Sequence, residues 1–114
     1  MFLGLRTVIY PVDDLAGAKR IYSTLLGAEP YVDQPYYVGF NVADHEVGLD
    51  PNGHRTGMAG PVGYWHVDDI AVTLKGAVDA GAAVRQDITD VGGGKLIATV
   101  TDADGNVVGL LQAP

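Results

Sequence analysis

Three histidines and a small set of carboxylates provide most of the side chains that could bind a metal ion or transfer a proton. The histidines are His45, His54 and His66, and the glutamates are Glu29 and Glu46. The chain contains no cysteine, which excludes disulfides, thiolate metal sites and a cysteine nucleophile. The single serine, Ser23, falls in a predicted helix, and no Ser-His-Asp order suggests a nucleophile. Any chemistry therefore depends on imidazole, carboxylate and tyrosine groups.

His66 is the titratable side chain of greatest interest, because it closes a predicted strand. It is either an imidazole that contacts a ligand or acts as a general base with Glu46, or a hydrogen-bonded structural histidine beside Asp68. Glu46, Asp50 and His66 also have the right chemistry for a metal site, although the strand spacing would place such a site away from the strand starts.

The other two histidines lie in predicted turns. His45 precedes Glu46 at a hairpin tip, where a solvated turn competes with a metal site as the interpretation. His54 lies in a segment rich in glycine and proline, either as an ordinary loop residue or as part of a loop that covers a pocket.

Aromatic residues are concentrated on or near the predicted strands. Because side chains alternate between the faces of a strand, Phe40 and Trp65 are expected to point towards helices, and Tyr37 and Tyr64 towards the opposite face. Aromatic walls with a few polar groups suit a planar or hydrophobic small molecule. The side chains expected to contact such a ligand are Tyr37, Asn41, Glu46, Tyr64 and His66.

A repeated motif shows which elements position these side chains. Val12-Asp13-Asp14-Leu15 and Val67-Asp68-Asp69-Ile70 each follow a strand-like run and precede an apolar stripe with helical spacing. The aspartates can cap the helices, and each helix is expected to end at a Gly-Ala pair. Linker-like sequence occupies residues 51–61.

The two halves have the same predicted order of elements. The strands are expected at residues 4–11, Tyr36–Val42, Glu46–Asp50, Val62–Val67, Lys95–Thr101 and Asn106–Gln112, with short additional strands near Pro30–Val32 and Ala83–Arg85. The last hairpin turns at Asp102-Ala103-Asp104-Gly105. The sequence thus predicts an α+β fold made of two βαβββ modules, at about residues 1–52 and 61–114 of a single domain.

Charge and composition exclude several partners. A formal charge of −7 and scattered basic residues argue against nucleic acid binding, which needs clustered lysine and arginine. No run of about 18 apolar residues predicts a membrane span, and the first residues lack the pattern of a signal peptide. The chain is expected to be cytoplasmic.

The ordered set of motifs resembles the vicinal oxygen chelate superfamily, which contains glyoxalases, bleomycin-resistance proteins and extradiol dioxygenases. The matching segments are the first repeated motif, the helix end at Gly27-Ala28, and Thr101-Asp102-Ala103-Asp104-Gly105-Asn106. The resemblance implies a rolled mixed sheet with helices on the outer face, a ligand cleft inside it, and a homodimer.

The resemblance also implies four strand positions for metal ligands, and these fall at Thr7, Gly48, Val62 and Gly109. None of the four is a histidine or glutamate, and neither glutamate of the chain matches such a position. The two glycines are expected to leave open the space that carboxylates would fill. No metal or other cofactor is therefore predicted.

The resulting interpretation is a metal-free protein of the bleomycin-resistance type that sequesters a hydrophobic or aromatic small molecule. The alternative is a glyoxalase-like lyase or isomerase, or a dioxygenase, with a displaced metal or with His66 and Glu46 as acid and base. A third hypothesis is an interaction module whose concave face is filled by its own side chains or by a partner.

Overall fold

The computed structural model describes residues 2–114. Its elements are β1 (Phe2–Pro11), α1 (Leu15–Leu26), β2 (Val32–Gln34), β3 (Tyr37–Val42), β4 (His45–Asp50), a 3₁₀ helix (His54–Thr56), β5 (Val62–Val67), α2 (Ile70–Asp79), β6 (Ala83–Asp90), β7 (Leu96–Thr101) and β8 (Val107–Gln112). The order βαβββ occurs twice, so the predicted α+β fold and its two modules are confirmed.

The chain divides into two compact units. The N-terminal unit comprises Arg6–Val62, and the C-terminal unit comprises residues 2–5 together with Gly63–Pro114. The start of β1 therefore groups with the second half of the chain, which the repeated sequence pattern does not indicate.

In the N-terminal unit the strand order is β2-β3-β4-β1, with β1 parallel to β4 and the other pairs antiparallel. Helix α1 packs on β3 and β4. The buried core consists of Val38, Phe40 and Leu49, with apolar residues of α1 against it. Asp14 caps the helix by accepting a 2.9 Å hydrogen bond from the Gly17 amide.

The C-terminal unit has the equivalent order β5-β8-β7-β6, again with one parallel pair. Ile70 and Leu74 of α2 pack with Ala98, Val100 and Leu110 in its core. The expected position of Phe40 and Trp65 on the helix-covered faces is confirmed, since Phe40 is fully buried and Trp65 packs against this second core.

Two of the hairpin turns, between β3 and β4 and between β7 and β8, follow from local chemistry. Ala43 and Asp44 adopt positive φ values of 47° and 66°, which produces the tight reversal between β3 and β4. Between β7 and β8, the Asp102 carboxylate accepts hydrogen bonds from the amides of Asp104 and Asn106, and Gly105 has a φ of 85°. The Asn106 side-chain amide also donates to Asp102, and this bond, followed by the backbone bonds, lowers the pKa of Asp102.

Two regions differ from the sequence-based prediction. The connection between the modules contains a 3₁₀ helix, whose turn is closed by a hydrogen bond from Gly57 N to His54 O. Strand β6 is longer than expected and shows two register shifts against β7, because a bulge leaves residues of an outer strand unpaired.

Candidate functional site

The face of each sheet that its own helix does not cover carries the candidate site residues. It is called the tyrosine face, since Tyr37 lies on it in the N-terminal unit and Tyr64 in the C-terminal unit. In the N-terminal unit the register pairs Asn41 with Glu46 and Gly39 with Gly48. The predicted alternation of faces is therefore confirmed, and this unit brings together Tyr37, Asn41 and Glu46.

Tyr37 and Glu46 form the central contact of the N-terminal tyrosine face. The Tyr37 hydroxyl donates a hydrogen bond of 2.5 Å to Glu46 Oε2, and the pair is partly buried. The Tyr31 hydroxyl also interacts with Glu46, and this interaction contributes to a raised pKa of Tyr31. The backbone amide of Tyr31 donates to Gly39 O at 2.9 Å, which holds this residue beside β3. One carboxylate thus lies beside two phenols.

Burial and the Glu46 carboxylate both raise the pKa values of Tyr37 and Tyr31. Burial is the larger cause that raises the pKa of Tyr37 far above its ordinary value, followed by the hydrogen bond to Glu46 and the nearby negative charges of Glu46 and Asp50. The pKa of Tyr31 is raised by burial and then by Glu46. Both phenols therefore stay protonated at neutral pH and act as hydrogen-bond donors to the carboxylate.

The space above Gly48 is filled, and the expectation of open space there is wrong. A Cβ atom at Gly48 would lie 2.6 Å from Ile9 Cδ1 and 2.7 Å from Tyr37 Cε1, and closer still to the Tyr37 hydroxyl. A Cβ at Gly39 would lie 2.9 Å from Tyr37 Cε2. The Tyr37 ring therefore lies across two glycines, which the sequence pattern alone did not show.

The expectation of open space is also wrong at Gly109 in the C-terminal unit. Tyr64 pairs with Gly109 between β5 and β8, and a Cβ at Gly109 would lie 2.5 Å from Tyr64 Cδ2 and 2.6 Å from Tyr64 Cγ. Thr99 pairs with Gly109 on its other side and is 1% exposed. Among residues 2–114, the Thr99 hydroxyl finds no hydrogen-bond partner. It lies on the same face as Tyr64.

The four positions that would hold a metal do not fit one. Thr7 and Val62 are buried on β1 and β5, and Gly48 and Gly109 have no side chain and are covered by rings. Among residues 2–114, no three histidine, aspartate or glutamate side chains are grouped so that they could hold a metal ion. The side chains at these positions therefore supply no ligand set for a divalent ion.

The three histidines lie in different settings. His45 Nδ1 is 2.8 Å from Ala43 O at the hairpin tip, and His54 Nδ1 is 2.8 Å from the Asp13 carboxylate. His66 is partly buried on β5, opposite Leu111 and on the same face as Tyr64. The C-terminal unit thus places two of the predicted contact residues, Tyr64 and His66, on one strand face.

Sequence analysis missed two residues of these faces. Tyr31 reaches Glu46 from the segment before β2, and an exposed tyrosine before a short strand gives no signal of that contact. Thr99 could have been found by extending the alternation of β7, because its pairing with Gly109 follows from the hairpin register.

Two units with the order βαβββ, each with four strands and one covering helix, define the class as a paired-module α+β protein. A profile of the Glyoxalase/Bleomycin resistance protein/Dioxygenase superfamily matches residues 4–110. The chain therefore belongs to this superfamily, as the resemblance implied.

Solved structures show the same fold. Methylmalonyl-CoA epimerase from Mycobacterium tuberculosis superposes with a TM-score of 0.79 at 18% identity, covering 99% of this chain and 90% of that chain. A glyoxalase/bleomycin resistance protein/dioxygenase superfamily member from Vibrio splendidus 12B01 superposes with a TM-score of 0.72 at 15% identity, covering 94% of this chain and 97% of that chain. The Mn(II)-bound glyoxalase from Novosphingobium aromaticivorans superposes with a TM-score of 0.73 at 19% identity, covering 97% of this chain and 39% of that chain.

No curated protein matches the chain by sequence. No helix among residues 2–114 is long and apolar enough to cross a membrane.

Proposed function

We propose that this protein binds a hydrophobic or aromatic small molecule on its tyrosine faces without a metal, in the manner suggested by its likeness to bleomycin-resistance proteins. The observation that carries the proposal is the Tyr37 ring, which lies over Gly48 where the superfamily resemblance implies a metal-binding carboxylate. A side chain that fills this space with an aromatic surface and a hydroxyl favours binding of an organic molecule over coordination of an ion.

The side chains on each tyrosine face provide aromatic surface and hydrogen-bonding groups, which suit contact with a small organic ligand. In the N-terminal unit, Tyr37 provides an aromatic surface, and Asn41 and Glu46 provide hydrogen-bonding groups at one register pair. In the C-terminal unit, Tyr64 provides an aromatic surface and His66 an imidazole on the same strand face. A few polar groups among aromatic side chains are typical of sites that orient a small ligand.

The experiment is metal analysis of protein purified without chelators, combined with a thermal-shift series of manganese, nickel and zinc salts. We expect less than stoichiometric metal and no specific stabilisation, and stabilisation by aromatic small molecules instead. The matched control is the Mn(II)-bound glyoxalase named above, treated identically. Tightly bound stoichiometric metal together with ion-specific stabilisation would overturn the proposal.

A second candidate is an enzyme whose acid–base residue is Glu46 in the N-terminal unit or His66 in the C-terminal unit. The observation that favours it is the Tyr37–Glu46 hydrogen bond, because it fixes the position of a carboxylate that can accept a proton. Incubation with methylmalonyl-CoA in deuterated water tests it, since epimerisation exchanges the α-proton. Solvent exchange that either Glu46→Gln or His66→Ala abolishes, in a variant that still folds, would favour the enzyme over the binding protein.

Two further expectations belong to the proposal. The sequence predicts a homodimer, since paired modules leave strand edges that a twofold partner can cover, and it predicts a cytoplasmic location. Sedimentation at micromolar concentration measures the first, and a monomer would contradict it. Cell fractionation measures the second.

A further inference from the structure

The N-terminal tyrosine face contains a cluster of Tyr31, Tyr37 and Glu46, named here the Tyr–Glu cluster. We propose that this cluster binds the positively charged group of an organic cation, such as a quaternary or protonated amine attached to an apolar body. The inference rests on the proposed function and adds the chemical class of the ligand.

The first argument is the charge of the cluster. Glu46 accepts a hydrogen bond from the Tyr37 hydroxyl, and the nearby Tyr31 phenol also interacts with it. A phenol that keeps its proton satisfies a carboxylate oxygen without neutralising it. Asp50 adds a second negative charge that acts on Tyr37. The field at the cluster is therefore negative, and it favours a cation.

The second argument is the aromatic surface. The face of a tyrosine ring attracts a cation, and the attraction grows as the pair is desolvated. Tyr31 is half exposed and Tyr37 is partly buried, so one ring is open to solvent beside the carboxylate. A quaternary or protonated amine can satisfy the carboxylate and the rings at once.

The third argument is the shape of the sheet under the cluster. Gly39 and Gly48 form a register pair, and a Cβ at Gly39 would lie 3.1 Å from Tyr31 Cε1 and 3.2 Å from Glu46 Oε2. The two glycines therefore let both rings and the carboxylate lie close to the backbone. Any larger residue at either position would push the three groups apart.

The test is isothermal titration calorimetry at low salt with three probes of similar size: benzyltrimethylammonium, benzyl alcohol and benzoate. We expect the cation to bind at least about tenfold more tightly than the alcohol, and benzoate to bind most weakly. Added salt is expected to weaken binding of the cation and to leave binding of the alcohol nearly unchanged.

The deciding variant is Glu46→Gln, which keeps an oxygen that can accept from Tyr37 but removes the charge. This variant is expected to bind the cation about tenfold more weakly than the wild type does. Its affinity for the alcohol is expected to stay within about twofold of the wild-type value. The matched control is Asp44→Asn at the exposed hairpin tip, which makes the same change in net charge and suits the positive φ of that residue. Tyr31→Leu is a second variant, which removes a ring and keeps the charge.

The outcomes separate the inference from the function on which it rests. Equal binding of the cation and the alcohol, or equal losses in Glu46→Gln and Asp44→Asn, would show that the ligand is not recognised as a cation here. Failure of all three probes would also overturn the inference. The proposed function fails by the separate criterion of stoichiometric, stabilising metal. Melting curves of each variant verify that the fold is retained.

Discussion

Each unit of the chain covers a glycine with a tyrosine ring, but the two rings come from different strands. In the N-terminal unit, Tyr37 reaches Gly48 from β3, and its hydroxyl is bonded to Glu46. In the C-terminal unit, Tyr64 reaches Gly109 from β5, where the two residues are direct register partners. The same backbone repeat therefore supports two different ways of filling the space.

The difference depends on the residue beside each glycine. Gly39 is the antiparallel partner of Gly48, and Thr99 is the antiparallel partner of Gly109. Because Gly39 has no side chain, the ring of Tyr37 can lie across the N-terminal pair. At the equivalent place Thr99 carries a buried hydroxyl without a partner. The N-terminal face thus has a satisfied polar cluster, whereas the C-terminal face has a ring and an unsatisfied group.

The largest expected effect is that of Gly109→Ala. The added Cβ would overlap Tyr64 Cγ and Cδ2, the part of the ring nearest the backbone, and rotation of the ring about its Cβ–Cγ bond leaves Cγ in the same place. We expect a loss of about 3 kcal/mol in the free energy of unfolding, measured in urea. The double variant Gly109→Ala, Tyr64→Ala should lose less free energy of unfolding than the two single variants lose together, because the clash is then absent. If the losses of the two single variants simply add in the double variant, the two side chains do not overlap.

Gly48→Ala is expected to cost less, about 2 kcal/mol, because the overlapping atoms are the far ends of Tyr37 and Ile9. Such ends can shift with smaller movements of the backbone. Urea unfolding of Gly48→Ala, Tyr37→Ala and the double variant gives the coupling between the two positions. A cost larger than that of Gly109→Ala would reverse the comparison between the two faces.

Tyr37→Phe removes the hydrogen bond to Glu46 and is expected to cost about 1.5 kcal/mol at neutral pH. The folded pKa of Tyr37 is raised above its ordinary 10.0, so its contribution is fully present below pH 10 and decreases at higher pH, where the unfolded chain releases the proton first. Wild-type stability should therefore fall more steeply above pH 10 than that of Tyr37→Phe, as measured by urea unfolding across this range. The exposed Tyr36→Phe is the control, and it should keep the wild-type slope.

The smallest effect has the opposite sign. Thr99→Val replaces a buried hydroxyl that has no partner with a methyl group of similar size, and we expect it to raise the free energy of unfolding by about 1 kcal/mol. Thermal unfolding measures the change, with the partly buried Thr101→Val on the same strand as the control. If Thr99→Val destabilises the protein and Thr101→Val does not, the Thr99 hydroxyl has a hydrogen-bond partner in solution. The two tyrosine faces would then not differ in carrying an unsatisfied group.

Much of the fold could be predicted from local chemistry. The repeated aspartates predict two capped helices, and Asp14 and Asp69 do cap them. Alternation along the strands placed Phe40 and Tyr37 on opposite faces, as observed. These predictions succeed because capping and alternation depend only on neighbouring residues.

The occupants of the glycine positions could not be predicted in the same way. The sequence indicates that Gly48 and Gly109 lack metal ligands, but it does not indicate which ring turns towards each of them. That choice depends on the register between strands and on the side chains of the adjacent strand, such as Gly39. The contact of Tyr31 with Glu46 likewise depends on a backbone bond to a residue eight positions away along the chain.

By itself, the sequence determined the repeat, the helix starts, the faces of the strands and the lack of a metal-binding side chain at four positions. Each of these follows from residue type and short-range spacing. Only the tertiary structure decided that tyrosine rings cover both glycines, that Glu46 lies beside two phenols, and that the buried Thr99 hydroxyl has no partner within the described part of the chain. These features arise from packing between strands, where one side chain takes the space that another leaves.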